Sequence, residues 1–356
     1  MSYHLSRREL LAQSLACGAT LAAPQLSAAL SQDADKHYAD AIFHKGEPPL
    51  PESKSFTIAV LPDTQFYSQS YPETYVAQTR WIVENLEKRN ICAVLHLGDI
   101  TNHNTPEQWQ NAQKAMQVLD DKVPYFLTVG NHDCGKGGGF NTRETLFNKY
   151  FPLDKYSKRK EFGGVYDREP TEFQNNYHLL NVQAREFLVL ALEVGPRSDV
   201  IRWANEVVAQ HPKREVILLT HAFLYHDDTR YDWKKYGKEQ KSNPIRYGAT
   251  KDTDDHDGEG MWQNLVQKHP NFVLTINGHV ASGDGLGRLV SKTKHGHQVP
   301  QVLVDFQAKP KGGDGWLRLL EFTADQKLRA IDYSPTRGEC NVSDQNRFTV
   351  DLPNVG

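Results

Sequence analysis

The chain has 356 residues, 38% hydrophobic and 24% charged, enough apolar side chains to enclose a sizeable core and too many for a disordered chain. Lys and Arg number 41 and Asp and Glu 44, a formal charge of −3. That balance gives no electrostatic reason to expect a nucleic-acid or membrane-surface binder.

Near the N-terminus, Ser6-Arg7-Arg8-Glu9-Leu10-Leu11 precedes an uncharged Ala- and Leu-rich stretch that lasts until Asp33, with small residues at Ser27, Ala28 and Ala29. This pattern is similar to a twin-arginine export signal, so residues 1–30 are set aside from the fold and the protein is expected in the periplasm or outside the cell. No later apolar run is long enough to span a bilayer. Beyond Cys17 the cysteines are Cys92, Cys134 and Cys340. An odd number is no disulfide framework, and the sequence leaves a Cys134–Cys340 pairing open. Cys92 lies in an apolar run and reads as a small buried hydrophobe.

Residues 31–55 are polar and carry Pro48, Pro49 and Pro51, an extended lead-in to a domain over residues 56–356. Residues 56–61 are β-branched and apolar, a strand that ends in Pro62-Asp63-Thr64-Gln65. Val76, Ile82, Val83 and Leu86 fall on one face of a helix over residues 75–90. Residues 91–97 are a second strand, ending in Gly98-Asp99-Ile100-Thr101-Asn102. Thr105-Pro106-Glu107-Gln108 has the cap, first-position proline and third-position amide of a helix start, and that helix runs to about Leu119. Residues 123–129 are a third strand, closed by Gly130-Asn131-His132-Asp133. This alternation predicts parallel strands joined by helical crossovers.

Residues 134–168 are rich in Gly and Lys and read as an irregular insertion with one helix near 143–150. Residues 177–182 and 187–192 form an antiparallel hairpin, 198–210 a helix, and 216–220 a strand that ends at His221. Residues 223–259 are too long and too charged for an ordinary connection and have the character of a binding loop or lid. Helix resumes over 260–269, and the strand 272–276 ends in Asn277-Gly278-His279. Runs 299–306, 316–322 and 328–333 are expected to close the chain as antiparallel strands.

Five of these runs end in polar groups: Asp63 with Gln65, Asp99 with Asn102, Asn131 with His132, His221, and His279. A lone imidazole after a strand is usually a satisfied core residue. Five coincident strand ends are different, because strands of one sheet end along a common edge, where open α/β sheets bind ligands. Carboxylates, amide oxygens and imidazoles without a required thiol suit Mn, Fe or Zn. Asp99 stands in the strand order where it could bridge two ions about 3.5–4 Å apart, a pair that clamps the attacking and leaving oxygens of a phosphoryl displacement.

In order and spacing, Asp63-x-Gln65, Gly98-Asp99, Gly130-Asn131-His132-Asp133, His221 and Gly278-His279 resemble the signature of the calcineurin-like metallophosphoesterases, over residues 56–333. The resemblance implies an α/β fold, a four-layer α-β-β-α metallophosphoesterase sandwich of two mixed sheets flanked by helices, with a two-metal site at the strand ends. It implies Asp63 and Gln65 on the first ion, Asp99 bridging, and Asn131, His221 and His279 on the second. His132 would face the phosphate and protonate the leaving oxygen, a task suited to an imidazole, and Asp133 would orient its ring. Two positions depart from the family: Gln65 replaces a usual His, and Ala281 stands where a second His follows Gly278-His279. Ser282 and Asp284 are candidates to help the first ion, whereas His295 and His297 read as solvated loop residues. The oxygen-richer first site should bind its ion more weakly and accept harder ions.

The expected function is that of an exported phosphoesterase, hydrolysing a phosphate monoester or diester by attack of metal-bound water. Its partner would be a phosphorylated small molecule or phosphodiester, not nucleic acid, with Asn102, Tyr225, His226 and Arg230 as candidate substrate contacts. A metal-stabilised binding protein without turnover is the alternative that Gln65 and Ala281 favour and His132 opposes. A nuclease of the same family would need a basic groove that the charge balance does not show.

Overall fold

Each apolar run that precedes one of the polar motifs is a strand in the computed structural model, which describes residues 37–251 and 253–355. The export-type segment, residues 1–30, lies outside the described residues. The elements that follow all belong to Asp40–Gly356.

The strands in chain order are β1 (Phe43–Lys45), β2 (Phe56–Leu61), β3 (Ile91–His96), β4 (Tyr125–Leu127) and β5 (Phe162–Val165). Then come β6 (Asn176–Val182), β7 (Arg185–Leu192), β8 (Glu215–Thr220), β9 (Phe272–Asn277) and β10 (Leu286–Lys292). The last are β11 (Gln298–Val304), β12 (Leu317–Phe322), β13 (Lys327–Ser334), β14 (Glu339–Asn341) and β15 (Arg347–Asp351). One sheet has the order β1-β14-β13-β12-β2-β3-β4, with β15 also on β13, and the other has β10-β11-β9-β8-β7-β6-β5. Both are mixed: β2, β3 and β4 run parallel while β12 runs against β2. In the second sheet β7, β8, β9 and β11 run parallel while β6 and β10 run against their neighbours.

The helices Pro72–Glu84 and Pro106–Met116 carry the crossovers of the first sheet, and each begins with a proline that has no N–H to leave unpaired. The first buries Tyr75, Trp81 and Ile82, the second Trp109, Ala112, Ala115 and Met116. Ser198–Gln210 connects β7 to β8 and buries Val200, Ile201, Trp203, Ala204, Val207 and Val208. The inner faces of the sheets meet at Phe56, whose ring lies 5.7 Å from that of Phe187, and Phe187 in turn lies 5.5 Å from Phe322. Such an interior is worth roughly 1.5–3 kcal/mol per enclosed Leu, Ile or Phe side chain. β8 and β9 are covered on both faces, which is why they read as continuous apolar runs without alternation.

Several expectations change. The run 299–306 is not simply antiparallel: β11 lies antiparallel to β10 but parallel to β9, with Leu303 opposite Asn277. The strand expected over 123–129 is confined to Tyr125–Leu127; just past it the Thr128 N–H still donates to the His96 carbonyl of β3 at 3.3 Å, and its hydroxyl donates to the Leu192 carbonyl of the other sheet at 2.6 Å. The helix near 143–150 shrinks to Phe147–Tyr150, followed by Leu153–Tyr156. Within the lead-in, β1 pairs with β14, and Arg89 donates to the carbonyls of Pro48 and Pro49 at 2.8 and 3.1 Å. Cys92, Cys134 and Cys340 are free thiols. Among the described residues no helix is long and apolar enough to cross a membrane.

Candidate metal centre

The ends of β2, β3 and β4 bring Asp63, Asp99 and Asn131 against His221 and His279, which follow β8 and β9. The approach is close enough that a Cβ at Gly130 would overlap Asp99 Oδ1, and one at Gly278 would overlap Asp63 Oδ2. The motif glycines are therefore there to let carboxylates reach the backbone of the next strand end. Asp99 and His279 adopt positive φ, 45° and 81°. Such conformations cost about 1–3 kcal/mol each and persist only where the surroundings impose them.

His221 Nε2 lies 3.1 Å from Asn131 Oδ1, 3.3 Å from Asp99 Oδ1 and 3.1 Å from His279 Nδ1. All four residues are buried. His221 Nδ1 sits 2.8 Å from the Leu97 carbonyl, and His279 Nε2 sits 2.7 Å from the Ser242 carbonyl. A carbonyl only accepts, so those nitrogens carry the hydrogens, and each ring turns its remaining lone pair toward the shared centre. Burial and the neighbouring His221 push the His279 imidazolium down to about 3, which keeps that ring neutral. Burial alone would raise the Asp99 carboxyl, but His221 and His132 outweigh it and hold it below the usual carboxylate range.

Beside this cluster, Asp63 Oδ1 accepts the His279 N–H at 2.9 Å, while Asp63 Oδ2 is buried with no hydrogen-bond partner among the described residues. Gln65 Oε1 is likewise buried and unpartnered, although its Nε2 lies 3.4 Å from Asn102 Oδ1. Burial, then the like charges of Asp305 and Asp99, push the Asp63 carboxyl well up. Buried carboxylates and amide oxygens without partners are costly unless a cation takes them. Asp99, His221 and His279 offer ligand atoms within 4.8 Å of one another, a donor set that fits a divalent ion.

His132 is half-buried; its N–H donates to Asp99 Oδ1 at 2.8 Å and its Nδ1 lies 2.9 Å from the Asn102 carbonyl. Asp133 does not have the expected role of orienting the His132 ring. Its carboxylate does not reach the ring but accepts from the N–H groups of Gly130, Ile100 and Thr101 and from the Thr101 hydroxyl, at 2.7–3.0 Å. Asp133 thus staples the loop after β3 to the loop after β4, and the Asn102 carbonyl orients the imidazole instead.

A cavity of about 360 Å³ opens onto the cluster, lined by Asp99, Asn131, His132 and His279 together with Tyr231, Lys241, Ser242, Tyr247, Ala281, Ser282 and Gln307. A larger one, about 440 Å³, lies beyond Cys134, where Arg143 and Arg197 are paired with Glu193, Asp255 and Glu169. Both of its arginines are already committed to carboxylates.

The candidate substrate contacts fare differently. Arg230 is committed to Glu259 at 2.6 Å and to Ser291 and Gln301 at 2.9 and 3.0 Å, over the Trp262 ring, and does not line the cavity. Tyr225 is buried, with its hydroxyl 3.5 Å from Ser282 Oγ and its ring 4.2 Å from that of His226. Asn102 donates to Gln69 at 2.7 Å and supports the loop rather than the cavity wall. Asp284 accepts the Leu286 N–H at 3.0 Å, and Ser282 lines the cavity. His295 and His297 lie in the turn before β11, at the end of that strand away from the site. Tyr231, Lys241, Ser242 and Tyr247 come from the long insertion, whose charge pattern gave no sign of which residues turn inward. Gln307, which follows β11 onto the cavity wall, was overlooked because that strand was taken for a closing antiparallel one.

A sequence profile described as calcineurin-like phosphoesterase matches residues 56–283. The protein YvnB of Bacillus subtilis (strain 168), described as uncharacterized, is 32% identical over 314 residues, which are 85% of this chain and 21% of YvnB. The chain therefore spans about a fifth of the length of that curated relative. Purple acid phosphatase PPD1 from yellow lupin (Lupinus luteus) seeds superposes with a TM-score of 0.50 at 14% identity, covering 85% of this chain and 55% of that one; the likeness is one of fold. A dimetal phosphatase from Danio rerio gives a TM-score of 0.48 at 14% identity, over 84% of this chain and 99% of the other.

Proposed function

The chain belongs to the calcineurin-like phosphoesterase family, and from that premise we propose that it hydrolyses phosphate esters at a dinuclear divalent-metal centre. The observation that carries this reading is the convergence of Asp99, Asn131, His221 and His279 on one point, with His132 on the wall of the same cavity. Bound divalent ions at such a centre polarise phosphoryl oxygens and supply a nucleophile at neutral pH. The chain's own residues do the rest. His132 Nδ1 is tied to the Asn102 carbonyl, which leaves Nε2 to hand a proton to the leaving oxygen. Tyr231 and Tyr247 border His279, with ring centroids 5.8 and 6.2 Å away, and narrow the entrance against bulk water.

The insertion also favours a substrate class. Lys241, Ser242 and Tyr247 are shared with a second cavity of about 290 Å³, lined further by Trp233, Lys238 and Arg246. Between Trp233 and Lys251 the sequence has six basic residues and one acidic residue, in a chain of net charge −3. The Arg246 guanidinium lies 4.5 Å from the Trp233 ring centroid. A flat or anionic leaving group would be held there by stacking and by charge-assisted hydrogen bonds.

Turnover of an aryl phosphate and an aryl phosphodiester, each with and without added Mn²⁺, tests the activity and separates monoester from diester. If neither is hydrolysed with Mn²⁺ present, the reading of a metal-stabilised binding protein takes its place. Export is part of the proposal on the strength of Arg7-Arg8 and the apolar stretch that follows. Replacing both arginines with lysine is expected to leave the precursor in the cytoplasm, and normal periplasmic accumulation would refute it.

A further inference from the structure

We propose that Tyr231 is a positioning residue of the metal centre: its buried hydroxyl fixes the Lys241–Ser242 peptide and, through the Ser242 carbonyl, sets the ring of His279. The long insertion over residues 223–259 is then a built part of the metal centre as well as a wall of the cavity. The inference rests on the metal-dependent reading above and deepens it.

His279 takes its orientation from outside its own strand end. It follows β9 with a left-handed φ of 81°, and its Nε2 meets the Ser242 carbonyl, 37 residues earlier in the chain, at 2.7 Å. That carbonyl leaves Nδ1 as the nitrogen with a free lone pair, 3.1 Å from His221 Nε2 in the cluster. Ligand imidazoles depend on such partners, and losing one typically costs about 10–100-fold in metal affinity. Here the partner belongs to a loop, so the ligand is only as well placed as that loop.

Ser242 does not hold its carbonyl in place by itself. It is exposed, and its φ is 58°, a left-handed conformation that is costly for any residue but glycine. Such a residue keeps its geometry only where its surroundings impose it. On the preceding peptide, Tyr231 Oη donates to the Lys241 carbonyl at 3.1 Å. Tyr231 is fully buried; its N–H donates to the Phe223 carbonyl at 2.9 Å and its carbonyl accepts the Glu259 N–H at 2.8 Å, so both ends of the insertion grip it. Its ring centroid lies 5.8 Å from that of His279. One side chain thus packs near the imidazole and fixes the peptide beside the imidazole's acceptor. The neighbouring amides act elsewhere: Gln240 serves Asp232, Thr229 and Arg230, and Asn243 accepts the Ile245 N–H and reaches Asp257 at 3.4 Å. They shape the loop without touching either carbonyl. The competing role for Tyr231 is to close the insertion over the domain, with no effect on His279.

The test uses Tyr231→Phe, which keeps the ring and removes only the hydroxyl. Mn²⁺ affinity is read by titration calorimetry, melting temperature is read in EDTA and in Mn²⁺, and visible absorption of the Co²⁺-loaded protein reports the ligand geometry. The variant should bind Mn²⁺ about three- to tenfold more weakly at one site, because it loosens the partner of a ligand rather than deleting it. Its Co²⁺ spectrum should change, and part of the Mn²⁺-induced gain in melting temperature should be lost. Ser242→Ala removes a side chain but keeps the carbonyl, and should bind Mn²⁺ as wild type does. Wild-type affinity and spectrum in Tyr231→Phe overturn the proposal; a melting temperature lowered equally in both media then assigns Tyr231 to closing the insertion. A loss in Ser242→Ala equal to that in Tyr231→Phe also overturns it, since any change in the loop would then suffice. A wild type that binds no Mn²⁺ defeats the metal-dependent reading itself, an outcome distinct from these.

Discussion

His132, His221 and His279 use one device three times. Each ring gives one nitrogen to a backbone carbonyl, of Asn102, Leu97 or Ser242, which settles what the other nitrogen can do. For His221 and His279 the other nitrogen points at a shared centre; for His132 it belongs to the cavity wall. His132→Ala should therefore leave Mn²⁺ content and melting temperature close to wild type while lowering kcat about 10²–10⁴-fold for an ester with a poor leaving group. The loss should be smaller for an activated aryl ester, whose leaving oxygen needs little protonation. Loss of metal together with equal losses on both esters would make His132 a ligand. The identities of these residues were legible in the sequence because each follows an apolar run. Their partners were not. Asn102 acts on His132 through its carbonyl, which any residue possesses, and Asp133 spends its oxygens on the backbone of Ile100 and Thr101. No side-chain pattern in the sequence can mark either.

At the scale of elements, the strands that precede the motifs were legible because they are buried on both faces. β10 was not, because it is an edge strand with alternating exposure, and Gly287 and Arg288 interrupt its apolar residues. Missing β10 hid the reversal that makes β11 parallel to β9, and with it the place of Gln307 on the cavity wall. The insertion over residues 223–259 is a different case. Its length and charge marked it as functional, yet the residues singled out there, Tyr225, His226 and Arg230, are turned to other uses. The residues that line the cavity lie further along, at Tyr231, Lys241, Ser242 and Tyr247. Lys241 and Arg246 have no ion-pair partner among the described residues, unlike Arg230 with Glu259. The double variant Lys241→Ala, Arg246→Ala is thus expected to raise KM about tenfold for an ester whose leaving group carries a charge, the order of a lost charge-assisted hydrogen bond. KM for a small uncharged aryl ester should hardly move. Equal changes for the two esters would place both residues outside substrate recognition.

For the whole molecule, the sequence identifies strands but not the sheet each joins. Gln298–Val304 and Leu317–Phe322 are both buried apolar runs, yet one extends the second sheet and the other joins β2 in the first. Only pairing across the finished fold separates them. The same assembly encloses a titratable group far from the chemistry. His178, on β6, is buried with its ring 4.4 Å from that of Phe126 and with Phe162 and Phe173 each 6.1 Å away, and its Nε2 has no partner among the described residues. Burial, reinforced by the positive charge of Arg159, pushes it down to about 3 from an ordinary value of 6.5. Above pH 6.5 the ring is neutral in both the folded and the unfolded chain, and pH has no leverage through it. Below that pH the unfolded chain binds a proton that the folded one refuses until about pH 3. Stability therefore falls as pH falls through this window, by up to about 1.4 kcal/mol per pH unit from this residue alone. His178→Phe keeps an aromatic ring in the same packing and removes the proton acceptor. Urea midpoints of variant and wild type should run parallel between pH 7 and 8 and diverge steadily from pH 6 to 4.5, with the variant more resistant. Carboxylates and any metal loss contribute to both curves and cancel in the difference. Curves that stay parallel down to pH 4.5 would mean that the folded protein accepts the proton at His178 after all.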